Sequence, residues 1–350
     1  MKKNLAIAVV MILFFSCNNG EKNNELVFKF EQQSSKNGIS IRGLHAVNEQ
    51  IAWISGSKGT FAKTIDGGKN WDWDSIPNAS NLDFRDIIAF DENRALVISA
   101  GLPAKIYKTI DGGKNWEEKY SDTTTGVFFN SFDFWNENEG IAASDPLEDG
   151  FLIIETQNGG ETWTRINPLV IPENEKGEAQ FAASGTCLVT FGDSGVCFVT
   201  GGAAARAFVS TNRGKSWNVF SSPIAQNEQT KGIYSVDFLN KDTAYVVGGD
   251  YLKPEIKTGT AAFTQDGGKT WQKPISYPPT GFNSCVKYIP NTSGQYLIAV
   301  GTEGSNISRD GGKNWLQLDT IPYHTVAFAG TVKYGWAAGS DGRIARITLN

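Results

Sequence analysis

The chain has 350 residues, 20% of them charged, with a formal net charge of −5 and a pI near 5.3. That balance lacks the basic stripe a nucleic-acid partner needs, and it offers no electrostatic attraction to an anionic membrane. The length could hold two or three ordinary domains, but 38 glycines, 10 tryptophans and 12% aromatics point instead to one repetitive β domain.

In chain order, Met1-Lys2-Lys3 precedes an apolar run from Leu5 to Phe15. This is the pattern of a signal peptide, too short to cross a bilayer. Ser16-Cys17 follows, then a polar stretch from Asn18 to Asn24. A small residue before a cysteine at the end of such a run resembles the bacterial lipobox, in which the cysteine becomes the lipidated first residue. Phe14 and Phe15 stand where that motif usually has leucine and a small residue. The expected organisation is a signal peptide over 1–16, a tether over 17–24 and one domain over 25–350. The expected location is the bacterial cell envelope, with membrane contact only through lipid on Cys17. Losing Lys2 and Lys3 takes the net charge from −5 to −7.

From residue 64 onward one octapeptide recurs six times: Thr64 to Trp71, Thr109 to Trp116, Thr156 to Trp163, Ser210 to Trp217, Thr264 to Trp271 and Ser308 to Trp315. The tryptophans are separated by 45, 47, 54, 54 and 44 residues, the period of a four-stranded propeller blade. Asp or Asn followed by Gly supplies the positive φ of a tight turn. The Ser/Thr hydroxyl and the Asp carboxylate can pin the turn's backbone, and the tryptophan opens the next strand.

Strands are expected upstream of each turn. First strands are Asp86 to Phe90, Asn130 to Phe134, Tyr234 to Phe238 and His324 to Phe328. Second strands are Ala52 to Gly56, Tyr245 to Gly249, Leu297 to Gly301 and Trp336 to Gly339, and a third is Lys105 to Thr109. The last unit has no octapeptide and ends on Arg343 to Leu349. The unpartnered alternation of Glu25 to Phe30 is expected to pair with that strand and close the ring. The fold class is therefore all-β, a seven-bladed β-propeller whose N-terminal strand completes the last blade.

The octapeptide resembles the Asp-box, or BNR repeat, and its repetition around seven blades resembles the photosystem II stability/assembly factor family and its secreted bacterial relatives. The resemblance covers roughly residues 39 to 347. It implies the propeller fold, a structural role for the Asp turns, and a tendency toward protein binding or assembly.

Aligning the inner strands places Arg42, Arg85, Asn130, Tyr234, Asn283 or Ser284, and His324 at one height around the channel mouth. Three insertions add to this face: Ser144 to Gly150, Glu173 to Ser184, and Gly249 to Glu255. They bring Asp145, Asp250 and Tyr251 into the candidate ligand-binding set. No catalytic residue, metal ligand or cofactor is assigned. Cys187 and Cys197 flank the turn Gly192-Asp193-Ser194-Gly195 and could face each other across a hairpin, as a disulfide or as free thiols.

Two functions stay open. One is a monomeric lipid-anchored scaffold that binds a protein or glycan. The other is a glycoside hydrolase, sialidase-like or otherwise, using loop carboxylates among Asp145, Glu148, Asp149 and Asp250. Against the second, Phe84-Arg85-Asp86-Ile87 lacks the proline of a sialidase Arg-Ile-Pro start, and the chain has only nine arginines.

Overall fold

A computed structural model describes residues 26–330 and 333–349. The signal peptide, Cys17, the tether and Glu25 lie outside the described residues.

Seven antiparallel sheets follow one another along the chain. Their innermost strands are Ile41–Ala46, Asp83–Ala89, Phe129–Phe134, Leu188–Phe191, Glu228–Phe238, Cys285–Tyr288 and Thr325–Phe328, in blades 1 to 7. Each packs on the next, and the seventh packs on the first, so the ring is closed. The hydrophobic core is divided accordingly into slabs between adjoining blades. Phe84, Ile87 and Val97 of blade 2 pack on Trp53 and Phe61 of blade 1, for example. Trp336 and Ile344 of blade 7 pack on Ile41 and Ile54 of blade 1.

The octapeptides are the turns from third to fourth strand, all at one end of the channel. In the first, Thr64 Oγ1 donates to Asp66 Oδ1 at 2.9 Å and accepts from Gly68 N at 2.8 Å. Asp66 also accepts from Asn70 N at 3.0 Å and Asn70 Nδ2 at 2.7 Å. Those donors hold its carboxyl down to about 2. Gly67 and Gly68 take φ of 74° and 84°, the conformation L side chains avoid. The fourth copy carries Arg213 at φ 58°, where its guanidinium pairs with Glu139 of the preceding blade. The aspartate carboxylates of these turns each bind donors of their own loop, and Glu161 of the third turn pairs with Lys108 and Lys119 of blade 2, so the turns are structural.

The last blade is completed from the N-terminus. Phe28–Ser34 pairs antiparallel with Ile344–Leu349, with Phe28 opposite Leu349 and Phe30 opposite Ile347. The closing strand thus starts three residues later and ends four residues later than the alternation of Glu25 to Phe30 suggested. Gln33 Oε1 accepts from Trp336 Nε1 of blade 7 at 3.1 Å and from Trp71 Nε1 of blade 1 at 3.3 Å, tying the seam.

Two expectations are corrected and one open alternative is decided. Ser144 to Gly150 is not an irregular loop, because the strands Gly140–Leu147 and Gly150–Thr156 extend through it as a hairpin. Blade 5 lacks a full fourth strand, and only Phe263 and Gln272 pair. The following Lys273-Pro274 and Pro278-Pro279 explain this, since proline has no N–H to donate. Cys197 lies opposite Val189, and Cys187 lies two residues further along beside Val199. The register therefore separates the two thiols, and both are free and buried, as is Cys285.

Candidate functional site

A propeller channel is a through-hole unless something fills it. Here the connection between blades 3 and 4 does. After Glu178–Ala179 adds a short strand to the sheet of blade 5, the small-residue run Ala182-Ala183-Ser184-Gly185-Thr186 enters the channel. The surrounding blades hold its carbonyls. Arg85 donates to Ala182 O at 3.3 Å and Arg42 to Ala183 O at 2.9 Å. Thr325 donates to Ser184 O at 3.1 Å, and Ser131 to Gly185 O at 2.8 Å. Only side chains this small fit so close to the axis. A Cβ on Gly185, at φ 68°, would stand 2.6 Å from Asp86 Cγ. The connection is anchored by Glu178, whose carboxylate is fully buried and pairs with Arg206 of blade 4 and with Thr200 Oγ1.

Above this plug, at the end opposite the octapeptide turns, lies a pocket of about 460 Å³. Its wall brings together Arg42, Arg85, Tyr234, Ser284 and His324 of the inner-strand ring with Asp145 and Tyr251 from the insertions. Asn130 stands behind the wall, buried, with Nδ2 donating to Asp145 Oδ1 at 2.9 Å. Asp250 is buried and turned aside, its Oδ1 accepting from Leu252 N at 3.0 Å. Asn283 is also buried away from the pocket, bonded to Asn306 at 2.9 Å, so Ser284 takes the ring position.

The pocket has a charged side and an aromatic side. Arg85 is paired with Asp83 at 2.8 Å and lies 5.7 Å from the Phe128 ring. Arg42 pairs with no carboxylate among the described residues, and burial together with the Arg85 charge pulls its guanidinium down to about 10. Across the pocket Phe181 stacks on Tyr234 with centroids 4.1 Å apart, and Phe282 meets Tyr234 edge-on at 4.8 Å. The Tyr234 hydroxyl donates to Thr230 O at 2.8 Å, which locks the ring in place.

Asp145 accepts from Gln180 N at 2.9 Å as well as from Asn130, yet burial pushes its carboxyl up to about 6. His324 is committed to structure. Its Nδ1 donates to Ile41 O at 2.9 Å and its Nε2 faces Ser340 Oγ at 3.2 Å. Burial, with the Arg42 charge, pushes it down to about 4, so the imidazole is neutral at pH 7. Asp145 is the only carboxylate among the residues described in this wall. Glu148 and Asp149 open instead on a cleft of about 510 Å³ along the flank of blade 3, where Asp149 pairs with Arg165 at 2.7 Å. The four loop carboxylates therefore do not converge on one cavity.

The plug itself escaped the sequence reading. Glu173 to Ser184 was recognisable as a long connection, but Phe181 became a wall residue only through its stack on Tyr234, 53 positions away. The run of five small residues after it was the available signal.

The fold and this mouth define a closed seven-bladed β-propeller with a plugged channel and a preformed polar and aromatic pocket. No known sequence family and no curated protein matches the chain. In architecture the propeller is YCF48-like. A YCF48 bound to a D1 peptide superposes with a TM-score of 0.65 at 14% identity, over 92% of this chain and 97% of that one. YCF48 from Cyanidioschyzon merolae does so with a TM-score of 0.65 at 15% identity, over 91% and 98%. The GH74 xyloglucanase from Xanthomonas campestris matches with a TM-score of 0.61 at 13% identity, this chain spanning 53% of its length. At such identities the likeness is one of fold.

Proposed function

We propose that this chain is a binding and assembly scaffold of the bacterial cell envelope, anchored by lipid on Cys17, that takes a segment of a protein partner at the channel mouth. The observation that carries this reading is the pairing of two guanidiniums, Arg42 and Arg85, with only one directly bonded carboxylate, facing a wall of stacked aromatics in a preformed pocket. Such a site suits a peptide segment with an acidic group and an aromatic or aliphatic side chain beside it. Exposed Tyr251, Leu252 and Ile256 on one loop, with Leu102 and Ile321 elsewhere on this face, extend the apolar contact beyond the pocket. The YCF48 neighbour is bound to a D1 peptide, and a peptide is the partner type this geometry supports.

The test is a peptide array probed with the wild-type chain and with Arg42→Gln and Arg85→Gln. Acidic aromatic peptides should bind the wild type, and each substitution should weaken them about tenfold or more, as loss of a charge-assisted hydrogen bond does. Equal binding by wild type and both variants, with folding intact by circular dichroism, refutes the site.

A further inference from the structure

The channel has a second end. Below the plug, on the side of the octapeptide turns, the inner strands line an open chamber of about 260 Å³. Ser184, Gly185 and Thr186 form its roof, so it is separate from the mouth and independent of the function proposed there.

Its wall mixes aliphatic and polar side chains; Asp86 and Thr186 lie near the roof, and a ring of four more polar groups comes from four blades: His45, Asp133, Asp237 and Lys287. The two carboxylates cross-link neighbouring blades. Asp133 accepts from Phe134 N at 2.8 Å and Thr190 N at 2.7 Å. Asp237 accepts from Tyr288 N at 2.7 Å and Lys287 Nζ at 2.9 Å. Lys287 thereby spends one of its three donors. Burial works to lower its pKa, but Asp237 and Asp133 outweigh that and keep it charged. His45 is half-buried, and its ring nitrogens bond to no described residue. Burial and the Lys287 charge push it down to about 4, leaving one N–H donor and one acceptor.

An ammonium with two spare N–H groups and an imidazole with two spare nitrogens, half-buried beside aliphatic side chains, suit oxygen-bearing partners that take the place of water. The charges decide which kind. An anion reaching Lys287 would also meet Asp133 and Asp237, and a cation would find its place already taken by Lys287. A neutral molecule with several hydroxyls meets neither penalty. Its oxygens accept from Lys287 and His45, and its O–H groups donate to the spare lone pairs of the carboxylates. The volume falls just below the roughly 300–1,000 Å³ of drug-sized sites, which sets the ligand's size near one sugar ring.

We propose that this chamber is a binding site for a small neutral polyhydroxyl ligand of monosaccharide size, held by Lys287 and His45. The chain has two histidines, and His324 lies at the other end of the channel, so their imidazole resonances make a probe and its internal control. The full chain is titrated with glucose, galactose, mannose and inositol, and separately with acetate. The expected result is a saturable shift of the His45 signals with at least one neutral ligand, no shift with acetate, and His324 unmoved. Ala327→Trp, which adds bulk to the chamber from its wall, should abolish the shift. Should that variant not fold, His45→Phe should weaken binding of the same ligand at least tenfold by calorimetry. No shift with any of the four, a stronger response to acetate, or undiminished binding in the folded variants would overturn the proposal.

Discussion

Gly185→Ala isolates the energetic role of the plug. Two costs add at this position. The residue has φ of 68°, and an L side chain in the left-handed region costs about 1–2 kcal/mol. The new methyl would also stand 2.6 Å from Asp86 Cγ. Asp86 cannot yield, because Ser131 Oγ and Phe132 N each bind its Oδ2 at 3.0 Å and Ile87 N binds its Oδ1 at 2.8 Å. Overpacking of a rigid interior costs a further ~1–3 kcal/mol. Gly192→Ala is the matched control. Its φ is 55°, but nothing lies within 4 Å of the added methyl, so only the backbone cost applies. Denaturant unfolding of the two variants should therefore give losses of roughly 2–5 kcal/mol for Gly185→Ala and about 1–2 kcal/mol for Gly192→Ala. The mouth pocket, whose floor is the same segment, should lose peptide binding only in the first. Equal losses in the two variants would show that the segment is not wedged against Asp86, and the account of the plug would fail.

Glu178→Ala leaves the Arg206 guanidinium, 13% exposed, without its buried partner. Unfolding should show a loss of about 3–5 kcal/mol, and proteolysis should cut first between residues 173 and 186. The mouth makes two pH predictions of opposite sign. His324 has its folded pKa lowered from 6.5 to about 4, so stability is full above pH 6.5 and falls as pH drops toward 4. His324→Asn should remove that fall. Asp145 has its folded pKa raised from 3.8 to about 6, so its contribution grows as pH drops through that window. Asp145→Asn should make the acid-side loss steeper, and denaturation midpoints between pH 4 and 7 decide both. Cys187, Cys197 and Cys285 are buried and unbridged. A thiol reagent should reach them only after unfolding, and a Cys187–Cys197 disulfide peptide in a non-reduced digest would contradict the hairpin register.

Much of this fold is legible because its signals are local. A turn such as Thr64 to Trp71 closes through bonds among its own residues, so eight positions suffice to recognise it. Repetition then counts the blades, and the unpartnered alternation near residue 25 implies the closing strand. The inner-strand alignment likewise set Arg42, Arg85, Tyr234 and His324 at one height, since equivalent positions in equivalent blades share their distance along the axis.

Only the tertiary structure decided what those positions see. Asp145 and Asp250 looked alike as loop carboxylates, yet one faces the pocket and the other caps its own turn. Cys187 and Cys197 looked opposed across a turn, and a pairing two residues out of line parts them. The plug depends on contacts as distant as Thr325 with Ser184 and Arg42 with Ala183, each 141 positions apart. A repeat specifies each blade through neighbours in sequence. What fills the ring's axis depends on side chains from all round it converging on one segment, and only the closed ring brings them within reach.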